Sequence, residues 1–193
     1  MHTRNGITKS LEFYTSNYGK VKEARLLLNP LGYEVVWRKS RLPELQSDSL
    51  QKVAESKLAN ISGEERLAMV EDAGLFVHSL DGFPGVYSSY VFETIGCEGI
   101  LRLLRNRKRD AHFESVVGVR HRGKSELFTG TVTGTISRRT RGTNGFGFDP
   151  IFVPEKSSLT MAELAPEVKA RISHRAKALA SLVEWLRRLG AGR

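Results

Sequence analysis

Residues 11–38, LEFYTSNYGKVKEARLLLNPLGYEVVWR, decide the reading of the fold. Leu11–Thr15 is rich in aromatic and β-favouring side chains and reads as a strand. In KVKEARLLLNPLG (20–32), Val21, Ala24, Leu27 and Leu28 share one helical face, and Asn29-Pro30 with Gly32 stops the run. YEVVWR (33–38) is a second strand, so the chain opens as a βαβ unit. The turn between first strand and helix carries Thr15, Ser16, Asn17, Gly19 and Lys20. A helix N-terminus offers unpaired N–H groups and a partial positive charge, which suits a phosphate. Lys20 is poorly placed for the helix dipole, a cost of roughly 0.3–1 kcal/mol that a bound anion would offset. The turn is not a Walker phosphate loop, because Tyr14 and Val21 stand where that motif needs Gly and Ser or Thr. Two readings stand for this stretch: a plain helix cap and a phosphate-holding turn.

Downstream, Ser47 or Asp48 is expected to cap a helix through LQKVAESKLANIS (50–62). RLAMVEDAGLFVHSL (66–80) shows two short apolar runs around Glu71-Asp72. DGFPGVYSS is a Gly- and Pro-rich loop, and YVFETIGCEGILRLLRN (90–106) a helix interrupted near Gly96 and Gly99. AHFESVVGVRH and KSELFTGTVTGTISR are β-rich and joined by Arg122-Gly123, as in a hairpin. RGTNGFGFDP is a turn cluster and IFVP a short strand. The last helix has Ser173 as N-cap and an apolar stripe of Leu179, Leu182, Val183, Leu186 and Leu189. The whole predicts a mixed α/β fold.

The 193 residues are 40% hydrophobic and 26% charged, which suits a soluble globular domain. No apolar run approaches the ~20 residues that cross a bilayer. MHTRNGITKS is too polar for a signal peptide, and Cys97 is the one cysteine, so a cytoplasmic protein without disulfides is expected. The formal charge is +9, with basic clusters at Arg102, Arg105, Arg107, Lys108 and Arg109 and at Arg138, Arg139 and Arg141. These fit a solvated face, a nucleic-acid-binding module, or a nucleotide enzyme that draws in a triphosphate.

Three more segments could carry chemistry. Glu71 and Asp72 are adjacent carboxylates in an apolar stretch, where a buried charge needs a partner or a metal. They point to opposite faces if the segment is extended. A magnesium site uses one or two carboxylates plus phosphate oxygens, and Glu44 in LPELQ is a candidate second carboxylate. The alternative is a turn, with Asp72 bonded to backbone N–H groups before Gly74. In NGFGFDPIF, glycines allow close approach, an aromatic could stack on a base and Asp149 could accept from a purine edge; a tight turn into a strand is the plainer reading. In KARISHRAKAL, His174 and Arg175 stand at a helix start with Lys169 upstream, fit for a phosphate or a base carbonyl, or simply for solvent behind a capping Ser173. His78 reads as a partly exposed histidine.

In this order, TSNYGK (15–20), EDAGL (71–75), GFPGVYSSY (82–90), FGFDPIF (146–152) and SHRAKAL (173–179) resemble the inosine triphosphate pyrophosphatase (Ham1) family, whose archaeal members are most similar. That resemblance spans about residues 11–189 and implies hydrolysis of non-standard purine nucleotides (ITP, dITP, XTP) to the monophosphate and pyrophosphate. It implies an elongated mixed sheet flanked by helices, in two lobes with the site in the cleft between them. Residues 11–190 would form the single domain, with 1–10 an N-terminal extension and 191–193 a tail. Thr15, Ser16, Asn17, Tyr18, Gly19 and Lys20 would hold the triphosphate. Glu44 and Asp72 would bind Mg²⁺, and Asp72 would be the general base. Phe146, Gly147, Phe148 and Asp149 would hold the base, and Lys169, His174 and Arg175 would bind substrate. A Lys after Glu44 is also implied, Lys57 in preference to Lys52. Ala73 stands where the family has a substrate-contacting Ser, leaving only its backbone to serve. A homodimer is implied; no membrane partner is expected, and the acidic Glu44, Glu71 and Asp72 disfavour a nucleic-acid partner. The alternatives are a Maf-type nucleotide pyrophosphatase, whose opening Ser- and Arg-rich loop is lacking, and a basic nucleic-acid-binding protein.

Overall fold

A computed structural model describes residues 9–63 and 66–191, with side chains through Arg188. Strand β1 (Lys9–Tyr14), helix α1 (Tyr18–Leu28) and strand β2 (Tyr33–Arg38) form the expected βαβ unit, and β1 and β2 pair in parallel from Lys9↔Tyr33 to Tyr14↔Arg38. β1 starts at Lys9, so residues 9 and 10 belong to the domain; the rest of the expected N-terminal extension lies outside the described residues. α1 buries Val21, Ala24 and Leu28 and ends at Leu28, as the stop signal at Asn29-Pro30 predicts. Asn29–Leu31 tightens into a 3₁₀ turn, because Pro30 lacks the N–H that an α-helix needs and its ring crowds the preceding turn.

Helix α2 (Leu50–Ala59) is capped by Ser49, whose Oγ accepts from Lys52 N at 3.3 Å. Ser47 is displaced from that role because its Oγ accepts from Ser49 N instead (3.1 Å), and Asp48 also lies one residue too early. β3 (Ala68–Val77) is one unbroken strand rather than two runs or a turn. Short β4 (Pro84–Gly85) follows, then α3 (Ser88–Thr94) and α4 (Gly96–Leu103). The helix breaks only at Gly96, whose φ is +60°; Gly99 continues inside α4. β5 (Asp110–His121) and β6 (Lys124–Ile136) make the expected hairpin, with positive φ at Arg122 (51°) and Gly123 (74°). β7 (Phe152–Pro154), α5 (Pro166–Ile172) and α6 (His174–Ala191) complete the chain, and Ser173 Oγ caps α6 by accepting from Ala176 N at 3.1 Å. The Leu189 side chain of the expected stripe lies outside the described residues; Leu179, Leu182, Val183 and Leu186 are buried.

The sheet runs β2-β1-β3-β5-β6-β7, with β4 on β3, parallel around β1 and antiparallel elsewhere. Side chains alternate across it. On one face Met69 joins a core with Val21, Leu28, Leu179 and Leu182 from α1 and α6. Farther along the same face, Leu75 and Val77 join a second core with Ile100, Phe113, Phe152 and Met161. Glu71 and Ala73 separate the two. On the opposite face, Ala68 and Val70 pack on Leu50, Ala54 and Leu58 of α2.

One feature of pairing opens the cleft. β1 stays with β3 only through Phe13↔Met69, and β4 joins it only from Leu75↔Gly85 to Phe76↔Pro84. Between them the β3 edge around Glu71 and Asp72 has no strand on that side among the described residues. Strands that part at a carboxyl end leave a crevice of this kind, the usual place for ligands in α/β sheets.

Candidate active site

The turn after β1 lies at the head of this crevice. Thr15 Oγ1 accepts from Asn17 N (3.1 Å) and Asn17 Oδ1 accepts from Gly19 N (2.8 Å), so Asn17 is the true N-cap of α1. Trp37 Nε1 on β2 donates to the Thr15 carbonyl at 2.9 Å and fixes the turn from behind. Gly19 is required by closeness: a Cβ there would lie 2.7 Å from the Phe146 ring. Ser16 and Tyr18 are solvent-accessible, and Tyr18 leans on Trp37 with ring centroids 4.8 Å apart. The first turn of α1 has no acidic residue, and Lys20 Nζ reaches into the crevice to the Glu71 carbonyl (2.9 Å) and to Glu71 Oε2 (2.8 Å). A carboxylate of the protein itself therefore offsets the charge that is awkward for the helix.

Glu71 starts a chain of alternating charge. Arg175 Nη2 lies 3.0 Å from Glu71 Oε1, which also accepts from Ser115 Oγ at 2.6 Å. Arg175 Nη1 bonds Glu23 on α1, Glu23 Oε1 is 2.6 Å from Lys169 Nζ, and Lys169 is 2.5 Å from Asp149 Oδ2. Asp149 also accepts from Phe146 N at 2.7 Å. This chain ties the phosphate-like turn to α5, α6 and the FGFD segment. Burial opposes the Glu71 charge, but Arg175 and Lys20 outweigh it and hold the carboxyl well below the usual range. Burial likewise opposes the Glu23 charge, and Arg175 with Lys169 holds its carboxyl low. Burial pushes Asp149 up, against Lys169.

The opposite face holds Asp72. Lys57 of α2 bonds Asp72 Oδ1 and lies 2.7 Å from Glu44 Oε1. Glu44 and Asp72 are thus brought to one ammonium, and Lys57 rather than exposed Lys52 reaches them. Burial raises the Asp72 pKa although Lys20 and Lys57 pull it down, and burial alone would lower that of Lys57 although Asp72 raises it. Asp72 Oδ2 is buried and has no hydrogen-bond partner among the described residues. Ala73, partly exposed, follows on the crevice face.

The base-side residues divide. Phe146 is partly exposed, with Lys169 Nζ 4.8 Å and Arg175 Cζ 5.3 Å from its ring centroid. Phe148 is not free to stack: its ring is 3% exposed and packs edge-on against Phe92, because it completes the second core. Gly147 has φ +62°, and its carbonyl accepts weakly from Cys97 Sγ (3.7 Å). His174 is buried and stacks on Phe113 at 4.6 Å; burial, with Arg175, lowers its pKa to about 3, so it is neutral. Its Nδ1 and Arg175 Nε are buried without hydrogen-bond partners among the described residues. His174 and Arg175 are therefore not solvated polar residues. His78 is exposed, with Nε2 3.1 Å from His112 Nδ1. Glu23 was missed by sequence reasoning; its place one helical turn after Lys20 on the α1 face toward Arg175 is the signal that could have found it.

The sequence pattern of the Ham1 family matches residues 11–185. The dITP/XTP pyrophosphatase of Pyrococcus horikoshii is 48% identical over 177 residues, 91% of this chain and 95% of that protein. The dITP/XTP pyrophosphatase of Thermococcus kodakarensis is 49% identical over 185 residues, 92% of this chain and 97% of that protein. Among solved structures, the Staphylococcus aureus Ham1 protein superposes with a TM-score of 0.76 at 30% identity, over 91% of this chain and 98% of that one. On sequence and on fold alike, the chain belongs to the Ham1 family.

Proposed function

We propose that this chain hydrolyses dITP, XTP and ITP to the nucleoside monophosphate and pyrophosphate, and so clears non-standard purines from the nucleotide pool. The observation that carries the reading is the crevice at the open edge of β3, where Lys20 reaches Glu71 from one side and Glu44, Lys57 and Asp72 meet on the other. The names of the archaeal relatives, dITP/XTP pyrophosphatases over most of their length, support the substrate class.

The residues fit a divalent cation, for which we propose Mg²⁺. Asp72 Oδ2 is a buried anionic oxygen with no hydrogen-bond partner among the described residues, Glu44 is held near it, and hard carboxylate oxygens are what Mg²⁺ takes. When bound, the cation would polarise the phosphate and the attacking water. Asp72 accepts the proton of that water; burial makes it a stronger base than an exposed aspartate. Lys20 and Lys57 offset charge on the phosphate oxygens, and the Thr15–Lys20 turn positions them. Phe146 offers its ring to the purine. Arg175 Nε, a buried donor with no hydrogen-bond partner among the described residues, suits the carbonyl at purine position 6, and the amino group of adenine would leave such a donor unpaired.

The same reading extends to a cytoplasmic homodimer. No helix among the described residues is long and apolar enough to cross a membrane. Exposed Phe83, Tyr87 and Tyr90 in the β4–α3 segment offer apolar surface to a second copy, which light scattering on the purified protein would detect. A nucleotide panel coupled to inorganic pyrophosphatase tests the activity. dITP, XTP and ITP should turn over roughly 100-fold faster than ATP or dTTP, and only with Mg²⁺. Equal turnover of ATP, or turnover without a divalent cation, overturns the reading.

A further inference from the structure

The two basic clusters, far apart in sequence, meet at one end of the molecule. β5 and β6 pair Asp110 with Thr135, and Ile136 N donates to the Arg109 carbonyl at 2.8 Å. The chain entering β5 and the chain leaving β6 therefore run side by side. Arg109 Nη1 donates to the Ser137 carbonyl at 2.7 Å, which sets Arg138 close by. Burial and the Arg138 charge together pull Arg109 below the ordinary arginine value, a sign that like charges are held near each other. Arg107 Nη1 donates to the Ser79 carbonyl at 3.0 Å, so part of this surface is anchored to the backbone.

Charge balance separates this surface from the cleft. Lys20, Lys57, Lys169 and Arg175 each face a carboxylate, among Glu23, Glu44, Glu71, Asp72 and Asp149. The cleft is thus internally neutralised, and the +9 of the chain resides elsewhere. Arg105, Arg107, Lys108, Arg138 and Arg139 are exposed. Among the described residues, neither these five nor Arg109 is ion-paired with a carboxylate. None of the six has a hydrogen bond to a residue of the cleft. Residues 104–107 form a turn, in which Arg107 N donates to the Leu104 carbonyl at 3.3 Å and Asn106 has φ +59°. A duplex carries one charge per ~1.7 Å of axis and meets such a cluster of five exposed cations with several phosphates.

We propose that this basic end binds the phosphate backbone of a nucleic acid, without base contacts, at a surface separate from the hydrolytic cleft. Fluorescence polarisation with labelled 20-base-pair DNA and with single-stranded RNA of the same length tests it, from 50 to 200 mM KCl without nucleotide. At least one probe should bind, with affinity falling steeply as salt rises. The double variant Arg105→Glu, Arg138→Glu removes two exposed charges with no hydrogen bond between side chains to lose. It should weaken nucleic-acid binding at least tenfold and leave hydrolysis of dITP unchanged. No binding at 50 mM KCl overturns the proposal, as does equal binding by the variant. So does loss of dITP kcat/KM in the variant with nucleic-acid binding intact, which would assign the charge to substrate steering. Binding to vesicles of anionic phospholipid with none to either nucleic acid also overturns it.

Discussion

Lys57 Nζ stands between two carboxylates, bonded to Asp72 and 2.7 Å from Glu44, so a single ammonium links the loop before α2 to the middle of β3. The arrangement makes Asp72 the residue on which activity should depend most. Asp72→Asn keeps the shape and removes the base and the anionic oxygen. Because burial already disfavours the Asp72 charge, the neutral amide should cost the fold little. Turnover should fall by about 10³-fold with an unchanged circular dichroism spectrum. A kcat within a few-fold of the parent would refute the role.

Glu23 holds Lys169 through one carboxylate oxygen and Arg175 through the other. Removing one partner from a buried ion pair leaves an uncompensated charge, at a cost of about 3 kcal/mol. Glu23→Ala should lower stability by about that amount in urea titration. Glu23→Gln keeps the shape and should be milder on stability, yet it should lower kcat/KM for dITP about tenfold, because both cations lose their tether. Unaltered kcat/KM in the Gln variant would show that Asp149 and Glu71 hold Lys169 and Arg175 without help.

Much of this was legible in sequence because local rules decide it. The βαβ opening, the β5–β6 hairpin and the α6 cap depend on periodicity, turn residues and a hydroxyl at one position. What stayed hidden depends on partners distant in the chain. Glu71 and Asp72 could read as a turn, since carboxylates in a strand become tolerable only once Lys20 with Arg175, and Lys57, meet them on opposite faces. Phe146 and Phe148 look alike in FGFD, and only the packing of Phe148 on Phe92 tells the available ring from the core ring. The α2 cap, expected at Ser47 or Asp48, falls at Ser49, a shift of one or two residues that spacing does not resolve.

His174 gives the fold a pH dependence of definite sign. Burial lowers its pKa from about 6.5 to about 3, so between those values the unfolded chain binds a proton that the folded chain does not. Stability should therefore fall as pH drops below about 6.5. His112, also lowered by burial and by His78, adds a smaller contribution of the same sign. Melting temperatures from pH 7.5 to 5.0 should decline in the parent and decline less in His174→Gln. An equal slope in both would show that His174 does not carry the effect.

The bond from Trp37 Nε1 to the Thr15 carbonyl supports the phosphate-like turn from outside it. Trp37→Phe keeps an aromatic ring beside Tyr18 but removes the donor. The Thr15 carbonyl still accepts from Ser40 N at 3.4 Å, a longer bond, so it is not orphaned. The expected loss is about 1 kcal/mol, the ordinary net contribution of one hydrogen bond. If the turn holds phosphate in the ground state and the transition state alike, that loss should appear as a KM for dITP raised about fivefold with kcat nearly constant. A fall in kcat at constant KM would mean that Trp37 acts on the chemical step instead, and no change in either would mean that α1 alone fixes the turn.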